Sequence, residues 1–412
     1  MAKGIGRNGE LFRTLCEPAH LMRCARAAAR GKKRKPDAAA FLLNMEPECF
    51  RLATELAAGT WMPGAYRSYV IREPKPRLIS AAPFADRVVH HALVSLLEPH
   101  FERRFVAHSY ACRVGKGTHR ALDRATELSR RGSFVLKGDI AKFFPSIDHA
   151  LLKAQVRRVI ADEKLLAVLE RVVDGSNPQE PVTEWFPGDD LFAPAERRRG
   201  IPIGNLTSQF LANVYMDTFD HQVMDREGFG EYVRYCDDFL VFGDDRSALW
   251  ALRERLAAFL GGLRLRLHAH KGGVHATRSA IPFLGFVVRD GRRRLQRAAV
   301  VRATRRLRET ASGHDEGMVD VDTLRARVAA WQGHAAHASD QAIAGRVVAR
   351  AGVPAAELRG RVRAALVRST TNRVIRGGSW NNDTNNVRSS NRNNDTPGNT
   401  NNNIGFRVAS TP

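Results

Sequence analysis

Three acidic side chains have the types and spacing that metal-dependent chemistry needs. Asp139 ends an apolar run at 134–138, and Asp237 and Asp238 stand side by side between two apolar runs. Adjacent like charges repel, so such pairs are usually kept where a cation or water compensates them. Hard cations such as Mg²⁺ prefer carboxylate oxygens, and two of them about 3.5–4 Å apart activate an oxygen nucleophile and stabilise a leaving group. The pattern therefore predicts a site for two Mg²⁺ ions, suited to nucleotidyl transfer.

The alternative is that Asp-Asp is an ordinary turn pair, and the chain offers two other pairs for comparison. The pair at 189–190 lies in a stretch rich in Pro and Gly, and the pair at 244–245 follows Gly243 beyond a strand end. We interpret both as solvated. Only the pair at 237–238 has apolar residues on both sides, which favours a fixed position in a cleft.

The elements that must position these carboxylates are short strands. Residues 133–140 have the pattern of a buried strand, and 232–242 that of a hairpin whose turn carries Asp237. A further β pattern covers 66–80, and a long loop is predicted over 174–200. Helical spacing is predicted at 88–97, 205–225 and 247–260, and along the Arg-rich stretch 291–369. Strands and helices do not alternate one for one, which predicts an α+β fold rather than a doubly wound sheet.

Composition adds a polyanionic partner and a reducing environment. Lys and Arg total 65 against 43 Asp and Glu, a net charge of +22, so we expect binding to nucleic acid. A basic protein without catalysis would show the same charge. The five cysteines form no C-x-x-C pair and no even set, which favours the cytoplasm over a disulfide framework. We find no signal peptide at the N-terminus and no apolar run long enough for a membrane span.

The box Tyr235-Cys236-Asp237-Asp238-Phe239 resembles the Tyr-x-Asp-Asp motif of reverse transcriptases. That resemblance implies an RNA-directed DNA polymerase with a right-hand fold: fingers, a palm with an antiparallel sheet, and a helical thumb. It also implies that Asp139, Asp237 and Asp238, with the carbonyl of Ile140, hold the two Mg²⁺ ions. Gly-Asp-Asp at 243–245 would suggest an RNA-dependent RNA polymerase instead, but it follows the strand rather than occupying the turn.

Further boxes of that family are found in the same order along the chain. The stretch 75–80 resembles the fingers strand that grips the incoming triphosphate, through Arg77 and with less support Lys75. Phe144 matches the aromatic gate that would clash with a ribose 2′-hydroxyl, although Phe143 and Phe144 could both belong to the core. Lys271 resembles the lysine that protonates pyrophosphate, and a solvated lysine is the alternative.

The stretch Ile203–Gln209 separates groups within the family. Ile-Gly followed by Ser-Gln resembles the form found in diversity-generating retroelements, whereas intron enzymes usually carry Gln-Gly and Ser-Pro. In that group Gly204 lets the backbone approach the template–dNTP pair, and Gln209 lies near the nascent base pair and is tied to errors opposite template adenines. A capped helix start at Asn205 is the structural alternative. A group II intron or retron-like enzyme and an inactive nucleic-acid-binding relative are the functional ones.

The composition changes abruptly after Thr371. Twelve asparagines fall in residues 371–412 and only five in the rest of the chain, so this tail is a separate piece. Its stretches at 374–382 and 401–408 resemble the end of the formylglycine-generating-enzyme/C-type-lectin fold, the usual displayed target of these retroelements. We hypothesise that the tail is translated template repeat, since such repeats are rich in adenine-containing Asn codons. A low-complexity polar tail is the alternative.

The predicted organisation is a helical N-terminal region at 1–60, fingers and palm at 61–290, a helical thumb at 291–370 and the Asn-rich tail at 371–412. The resemblance implies template RNA, an RNA–DNA hybrid and dNTPs as partners, and a small basic helical accessory protein. It further implies that the cDNA, mutagenised at adenines, returns to a target gene. We expect no membrane partner.

Overall fold

The computed structural model describes residues 5–6, 8–72, 76–176 and 184–353, and the backbone alone of 373–375 and 393–395. The helices are α1 (Glu10–Leu15), α2 (Pro18–Ala28), α3 (Pro36–Leu43), α4 (Met45–Ala57), α5 (Phe84–Glu102), α6 (Thr118–Arg131), α7 (Phe143–Ser146), α8 (His149–Arg157), α9 (Glu163–Asp174), α10 (Ala193–Glu196), α11 (Leu206–His221), α12 (Arg246–Gly262), α13 (Arg297–Asp315), α14 (Val321–Ala335) and α15 (Ile343–Arg350). The strands are β1 (Arg67–Ile71), β2 (Arg77–Ala81), β3 (Phe134–Asp139), β4 (Tyr232–Tyr235), β5 (Asp238–Gly243), β6 (Gly273–Ala276), β7 (Ile281–Phe283), β8 (Phe286–Arg289), β9 (Arg292–Leu295), β10 (Arg373–Ile375) and β11 (Asn393–Asp395). A π-helical turn at Gln222–Arg226 ends α11.

The central sheet has four antiparallel strands in the order β4-β5-β3-β6. Alternate side chains of each strand point to opposite faces of the sheet, and both faces are covered by other elements. Leu136 and Val241 face a large core shared with the helices, while Val135 and Leu240 face a second core that includes α6 and β8. This arrangement confirms the predicted α+β fold and its antiparallel palm sheet.

Helix α11 is the axis of the large core. It contacts α5 and α8, and nearly every one of its residues is buried. Phe219 on this helix packs edge-on against Phe239 of β5, with ring centroids 5.1 Å apart. A helix buried on all sides is a rigid support, so the strands that carry the acidic residues rest on a fixed base.

The helical stretch predicted to begin at 291 begins later. Residues 292–295 form β9, which pairs with β8 in a three-stranded sheet with β7. The connecting residues Asp290 and Gly291 both have positive φ, 44° and 68°, as a two-residue hairpin turn requires. Asp-Gly was the signal for this turn, and the Arg-rich composition concealed it. The predicted loop at 174–200 likewise contains one helical turn, α10.

Helices α13, α14 and α15 form a core of their own. Leu307 of α13, Trp331 of α14 and Val347 of α15 belong to one buried cluster. The Trp331 indole N–H donates to the carbonyl of Ala344, at 3.2 Å. Beyond residue 353, β10 and β11 pair as an antiparallel ladder, and the rest of the predicted tail lies outside the described residues.

Two bulk expectations can be compared with the structure. The structure has Cys16, Cys24, Cys49, Cys112 and Cys236 as free thiols. Over the stretches that the structure describes, no helix combines the length and the apolar character that crossing a bilayer requires.

Candidate active site

The β4–β5 hairpin brings the predicted acidic residues together. Tyr235 pairs with Asp238, so Cys236 and Asp237 form a two-residue turn. Cys236 has φ of 60°, as the first position of such turns requires. On the other side of β5, Asp139 is the direct cross-strand partner of Asp238. The tip of one hairpin and the end of the neighbouring strand therefore place three carboxylates at one edge of the sheet.

Hydrogen bonds fix the end of β3 on both sides. The N–H of Ile140 donates to the carbonyl of Asp237, at 3.2 Å. Beyond it, Ile140 forms an isolated bridge with Leu267. The two hydrogen bonds of that bridge are made by the neighbouring residues. The N–H of His268 donates to the Asp139 carbonyl at 2.7 Å, and the N–H of Ala141 donates to the Arg266 carbonyl at 2.9 Å. The backbone that carries Asp139 is thus tied to the hairpin and to the 267–268 segment.

Burial and neighbouring charges shift the pKa of two of the three carboxyl groups. Burial raises the pKa of Asp237, and the charge of Asp139 raises it further, while Arg77 and Lys271 lower it. Burial also raises the pKa of Asp238, followed by the charge of Asp237, to about 7. A hydrogen bond that protonated Asp238 donates to Asp139 adds to that rise. Asp237 and Asp238 therefore hold their protons more strongly than exposed carboxyl groups do.

The donor set suits a hard divalent cation, because it consists of carboxylate oxygens. The Cys236 thiol offers no alternative, since burial raises its pKa well above the usual value and keeps it protonated. Among the residues with described side chains, no group of three or more His, Cys, Asp or Glu is arranged to hold a metal ion as it stands.

Lys271 reaches the site. Its ammonium nitrogen lies 3.4 Å from Asp139 Oδ1, and its side chain is 46% exposed. It follows the 267–268 segment that pairs with the end of β3. The structure thus brings this predicted residue to the carboxylates, in an accessible position.

Gly138 is required by packing, and the sequence did not reveal it. It lies directly across from Phe239, and any Cβ at this position would overlap the Phe239 ring. The ring therefore covers the backbone beside Asp139. The signal existed in the Gly-Asp dipeptide that ends β3, but it depends on knowing which residue is opposite.

The predicted triphosphate contacts lie on β2. Arg77 begins this strand and is exposed, and its charge acts on Asp237. Lys75 lies outside the described residues. The inner end of β2 is docked on the start of α11: Asn205 Nδ2 donates to the Ser80 carbonyl at 3.0 Å, and Asn205 Oδ1 accepts from the Ala82 N–H at 3.2 Å.

Asn205 is therefore not the side-chain cap that the sequence suggested. It occupies the N-cap position of α11, but its side chain makes no capping bond and instead holds β2. Gly204 before it is buried with φ of 126°, a value that favours glycine. Gln209, in the first turns of α11, is 5% exposed, and neither its Oε1 nor its Nε2 has a hydrogen-bond partner among the residues that the structure describes.

The two phenylalanines after Asp139 have different surroundings. Phe143 is buried, while Phe144 is only partly buried and packs edge-on against it, with centroids 5.4 Å apart. The Ile201 N–H donates to the Phe144 carbonyl at 3.0 Å, which links this turn to the stretch before α11. Phe143 is thus the core residue of the pair, and Phe144 keeps an accessible face.

Of the two comparison pairs, one was interpreted wrongly. Asp189 is not solvated: its side chain is 5% exposed and forms an ion pair with the buried Arg197. Asp190 accepts from the Phe192 and Ala193 N–H groups at the start of α10. The pair at 244–245 is exposed and structural, since Asp245 caps α12. The Pro- and Gly-rich composition of this stretch did not indicate that Asp189 would be buried in an ion pair with Arg197.

The loop at 184–197 is attached to the backbone that follows β3. The guanidinium groups of Arg197 and Arg266 lie over the Phe186 ring, 5.4 and 4.9 Å from its centroid. Arg266 also pairs with Glu184, and its own carbonyl accepts from the Ala141 N–H at 2.9 Å. This loop and the end of β3 therefore share one residue, Arg266.

Comparison with known proteins gives two family matches. Residues 71–288, more than half of the chain, match a family described as reverse transcriptase (RNA-dependent DNA polymerase). Residues 330–412 match a family described as sulfatase-modifying factor enzyme 1-like domain. The first match includes every predicted site residue, and the second begins inside α14, well before the predicted start of the tail.

Individual relatives are distant. Protein YkfC of Escherichia coli K12 is 26% identical over 275 residues, which cover 57% of this chain and 69% of that protein. Nuclear intron maturase 1, mitochondrial, of Arabidopsis thaliana is 31% identical over 87 residues, 21% of this chain and 12% of the maturase. Group II intron-encoded protein LtrA of Lactococcus lactis is 24% identical over 182 residues, 43% of this chain and 28% of LtrA. The chain thus spans only a small part of the intron proteins it matches.

Proposed function

Because this chain belongs to the reverse transcriptase family and is an RNA-directed DNA polymerase, we propose that it serves a diversity-generating retroelement. In this function it copies a template RNA into cDNA with errors concentrated at template adenines, and the cDNA returns to a target gene. The observation that carries the proposal is the buried, unpartnered amide of Gln209. A buried polar group without a partner costs about 1–3 kcal/mol, so a group that binds the amide during function would offset that cost.

The proposed catalytic residues are Asp139, Asp237 and Asp238. Their carboxylates, with the carbonyl of Ile140, would hold two Mg²⁺ ions, which would lower the pKa of a primer hydroxyl and stabilise the leaving pyrophosphate. The exposed Arg77 on β2 binds the triphosphate of the incoming dNTP, and Lys75, which lies outside the described residues, is proposed as a second contact. The accessible Lys271 is placed to donate a proton to the pyrophosphate.

Selection of the nucleotide is assigned to three residues around that centre. The accessible face of Phe144 meets the sugar and excludes a ribose 2′-hydroxyl. The positive φ of Gly204 lets the backbone approach the template–dNTP pair. The Gln209 amide lies one helical turn after Asn205, which holds the triphosphate-binding strand β2. The Asn205 hydrogen bonds therefore hold the strand of the proposed triphosphate contact against the helix that carries Gln209.

The C-terminal match supports the same class. The tail is rich in Asn, and residues 330–412 are similar to a sulfatase-modifying factor domain, the fold of the usual target of such elements. We propose that residues from about 371 onward are encoded by overlapping template repeat. A near-repeat of this stretch in or beside a neighbouring gene for a lectin-like protein would support this origin, and a genome without any near-repeat would contradict it.

The proposed partners follow from charge and family. The net charge of +22 and the intron-encoded relatives support binding of a template RNA and of the RNA–DNA hybrid, through phosphate contacts and shape. A small basic helical accessory protein is part of the same proposal, as is a cytoplasmic location. The proposed division of the chain is a helical N-terminal region at 1–60, fingers and palm at 61–290, a helical thumb at 291–370 and the Asn-rich tail at 371–412.

An intron or retron enzyme is the second candidate, and the relatives favour it. Two of the three relatives compared here are named as an intron maturase and an intron-encoded protein. Such an enzyme would copy RNA with the same carboxylates but without errors directed to adenines. Fidelity, rather than synthesis, therefore distinguishes the two candidates.

The test is primer extension on a defined RNA template with scattered adenines, with Mg²⁺ and all four dNTPs, followed by sequencing of the cDNA. We expect synthesis by the wild type and none by Asp237→Asn/Asp238→Asn. We further expect misincorporation concentrated opposite adenines, and a shift of that spectrum in Gln209→Ala. Asn44→Ala is the control variant. Asn44 is exposed, precedes α4 and is distant in sequence from Gln209, so this variant should keep the wild-type error spectrum.

Each other outcome has a meaning. Faithful cDNA at adenines would overturn the retroelement assignment and favour the intron or retron candidate. Synthesis that persists in Asp237→Asn/Asp238→Asn would overturn the assignment of the carboxylates. If the wild type fails to extend even with its native RNA and an accessory protein supplied, the chain is an inactive nucleic-acid-binding relative.

A further inference from the structure

A fully buried ion pair lies beneath the turn that carries the acidic residues. Arg234 of β4 donates from Nε to Asp220 Oδ1 and from Nη2 to Asp220 Oδ2, both at 2.6 Å. The two side chains are 1% and 0% exposed. Asp220 belongs to α11, so this bidentate pair joins the hairpin to the central helix.

The third arm of the same guanidinium reaches the turn itself. Arg234 Nη1 donates to the carbonyl of Cys236 at 3.1 Å and to Asn213 Oδ1 at 3.4 Å. The Cys236 carbonyl belongs to the peptide group that continues into Asp237. Because Cys236 has a positive φ, which a residue with a Cβ rarely adopts, this peptide group needs an external partner to stay in place.

The partners of the guanidinium are fixed in turn. The Tyr232 hydroxyl donates to Asp220 Oδ1 at 2.7 Å, and Asn213 Nδ2 donates to the Ala111 carbonyl at 2.8 Å. The Arg234 backbone is held as well, since its N–H donates to His108 and its carbonyl accepts from Tyr110, both at 2.9 Å. The arginine therefore has one position, and so does the carbonyl that it holds.

Stability alone is a weak reason for such a pair. Removing two charges from water is costly, and a well-packed apolar pair of similar volume is often as stable. What an apolar pair cannot supply is a planar donor that bonds a carboxylate and a backbone carbonyl together. The bond to Cys236 is thus the feature that distinguishes this pair from ordinary core packing.

We propose that Arg234, oriented by Asp220, is a positioning residue that holds the Cys236–Asp237 peptide group so that Asp237 and Asp238 meet a divalent cation in the correct geometry. This inference rests on the proposed role of those two carboxylates. Outer partners of metal ligands typically change metal affinity or activity about 10–100-fold when they are removed. The sequence shows an arginine before Tyr-Cys-Asp-Asp but not its partner. The proposed role of Arg234 depends on Asp220, which belongs to the preceding helix α11.

The test compares Arg234→Lys with Tyr232→Phe. The lysine keeps a charge for Asp220 but cannot reach Asp220 and the Cys236 carbonyl together, whereas Tyr232→Phe removes one hydrogen bond from Asp220 and leaves the Arg234–Cys236 bond intact. Mn²⁺ binding to the full chain is measured by electron paramagnetic resonance, and primer extension gives kcat, the KM for dNTP and the Mg²⁺ concentration at half-maximal rate.

We expect Arg234→Lys to weaken Mn²⁺ binding and raise the half-maximal Mg²⁺ concentration about tenfold or more, with a lower kcat and little change in the KM for dNTP. Tyr232→Phe should change metal affinity far less than Arg234→Lys does, because both Arg234–Asp220 hydrogen bonds and the Arg234–Cys236 bond remain. Equal metal affinity in the two variants would overturn the proposal and leave the pair a purely structural one. Activity retained in Asp237→Asn would instead contradict the proposed carboxylates, so the two failures differ.

Misfolding is handled by a double variant. Asp220→Leu/Arg234→Met replaces both charges with apolar groups, which proteins often tolerate without loss of stability. We expect thermal unfolding near that of the wild type and the same loss of metal affinity as in Arg234→Lys. A folded double variant with wild-type Mn²⁺ affinity would overturn the proposal.

Discussion

The fold opposes the charge of Asp238. Its pKa rises from the ordinary 3.8 to about 7, first through burial and then through the charge of Asp237. Asp139 stands directly across from it. Binding of a cation at this carboxyl group would therefore be linked to release of its proton.

The first prediction concerns the metal-free protein. Since the folded pKa of Asp238 lies above its unfolded value, the folded state binds the extra proton between pH 4 and 7, and the free energy of unfolding falls as pH rises through this window. One pKa unit corresponds to about 1.4 kcal/mol, so the fall is on the order of a few kcal/mol. Urea unfolding at several pH values in a chelator measures it.

Asp238→Asn and added Mg²⁺ are the comparisons for this titration. The asparagine variant should lose most of the fall, and Mg²⁺ should stabilise the wild type more at pH 7 than at pH 5. A wild-type curve that is flat from pH 4 to 7, or one that the substitution leaves unchanged, would contradict the assignment of the raised pKa to this group.

At this scale, what could be predicted depended on local sequence. The three carboxylates could be found because apolar strands flank each of them within a few positions. Gly138 could not, since its need for a missing Cβ comes from Phe239 across the sheet. Arg234 could not either, because its partner Asp220 belongs to another element. Residues whose role lies in a long-range contact leave little trace in the sequence around them.

At the scale of elements, Asn205 is the joint between β2 and α11. It bonds the Ser80 carbonyl and the Ala82 N–H and is 1% exposed. The Ser80 N–H also donates to the Ile203 carbonyl, at 3.0 Å. The strand with Arg77 is therefore held to the helix that supports the sheet, which sets the distance between the triphosphate contact and the carboxylates.

Asn205→Ala is predicted to leave two buried backbone groups without partners. Each such group costs about 1–3 kcal/mol, so for the two groups the free energy of unfolding should fall by about 2–6 kcal/mol. The KM for dNTP should rise more than kcat falls, because β2 carries the triphosphate contact. Chemical denaturation and steady-state primer extension measure the two effects.

Asn44→Ala is the matched control, since Asn44 also precedes a helix but is exposed. This substitution should leave both stability and KM nearly unchanged. If Asn205→Ala were no more destabilising than Asn44→Ala, the joint would not depend on the side chain of Asn205.

The elements themselves were predicted better than their ends. The hairpin at 232–242 and the helices around 88–97, 205–225 and 247–260 were found from periodicity, because burial on one or both faces sets the spacing of apolar residues. β9 was missed because its alternation is carried by arginines. Its register comes from the Asp290–Gly291 turn and from pairing with β8, and neither depends on hydrophobicity.

At the scale of the whole molecule, the start of the second family match does not coincide with a boundary in the packing. The second match begins at residue 330, yet Trp331 and Val347 are buried with Leu307 in the core of α13–α15. Residues 330–353 thus pack with α13, which precedes the second match. This helical core extends at least to Val353, whatever the origin of the sequence beyond it.

We therefore predict that a chain ending at residue 353 keeps template-dependent synthesis at a rate close to that of the full chain. A chain ending at residue 329 removes Trp331 and α15 from the core of α13–α15 and should lose stability and synthesis. Primer extension and thermal unfolding of the three lengths measure this. Loss of synthesis in the 353-residue chain, with folding intact, would contradict the prediction and show that residues within 354–412 take part in polymerisation.

Arg266 links the loop at 184–197 to the backbone that follows β3. Its guanidinium contacts Phe186 and Glu184, and its carbonyl accepts from the N–H of Ala141, the residue after Ile140. The side chains of Trp185, Leu191 and Phe192 are exposed on that loop. A ligand of this apolar surface whose affinity changed when the proposed nucleotide site is filled would, by reciprocity, change nucleotide affinity by the same factor.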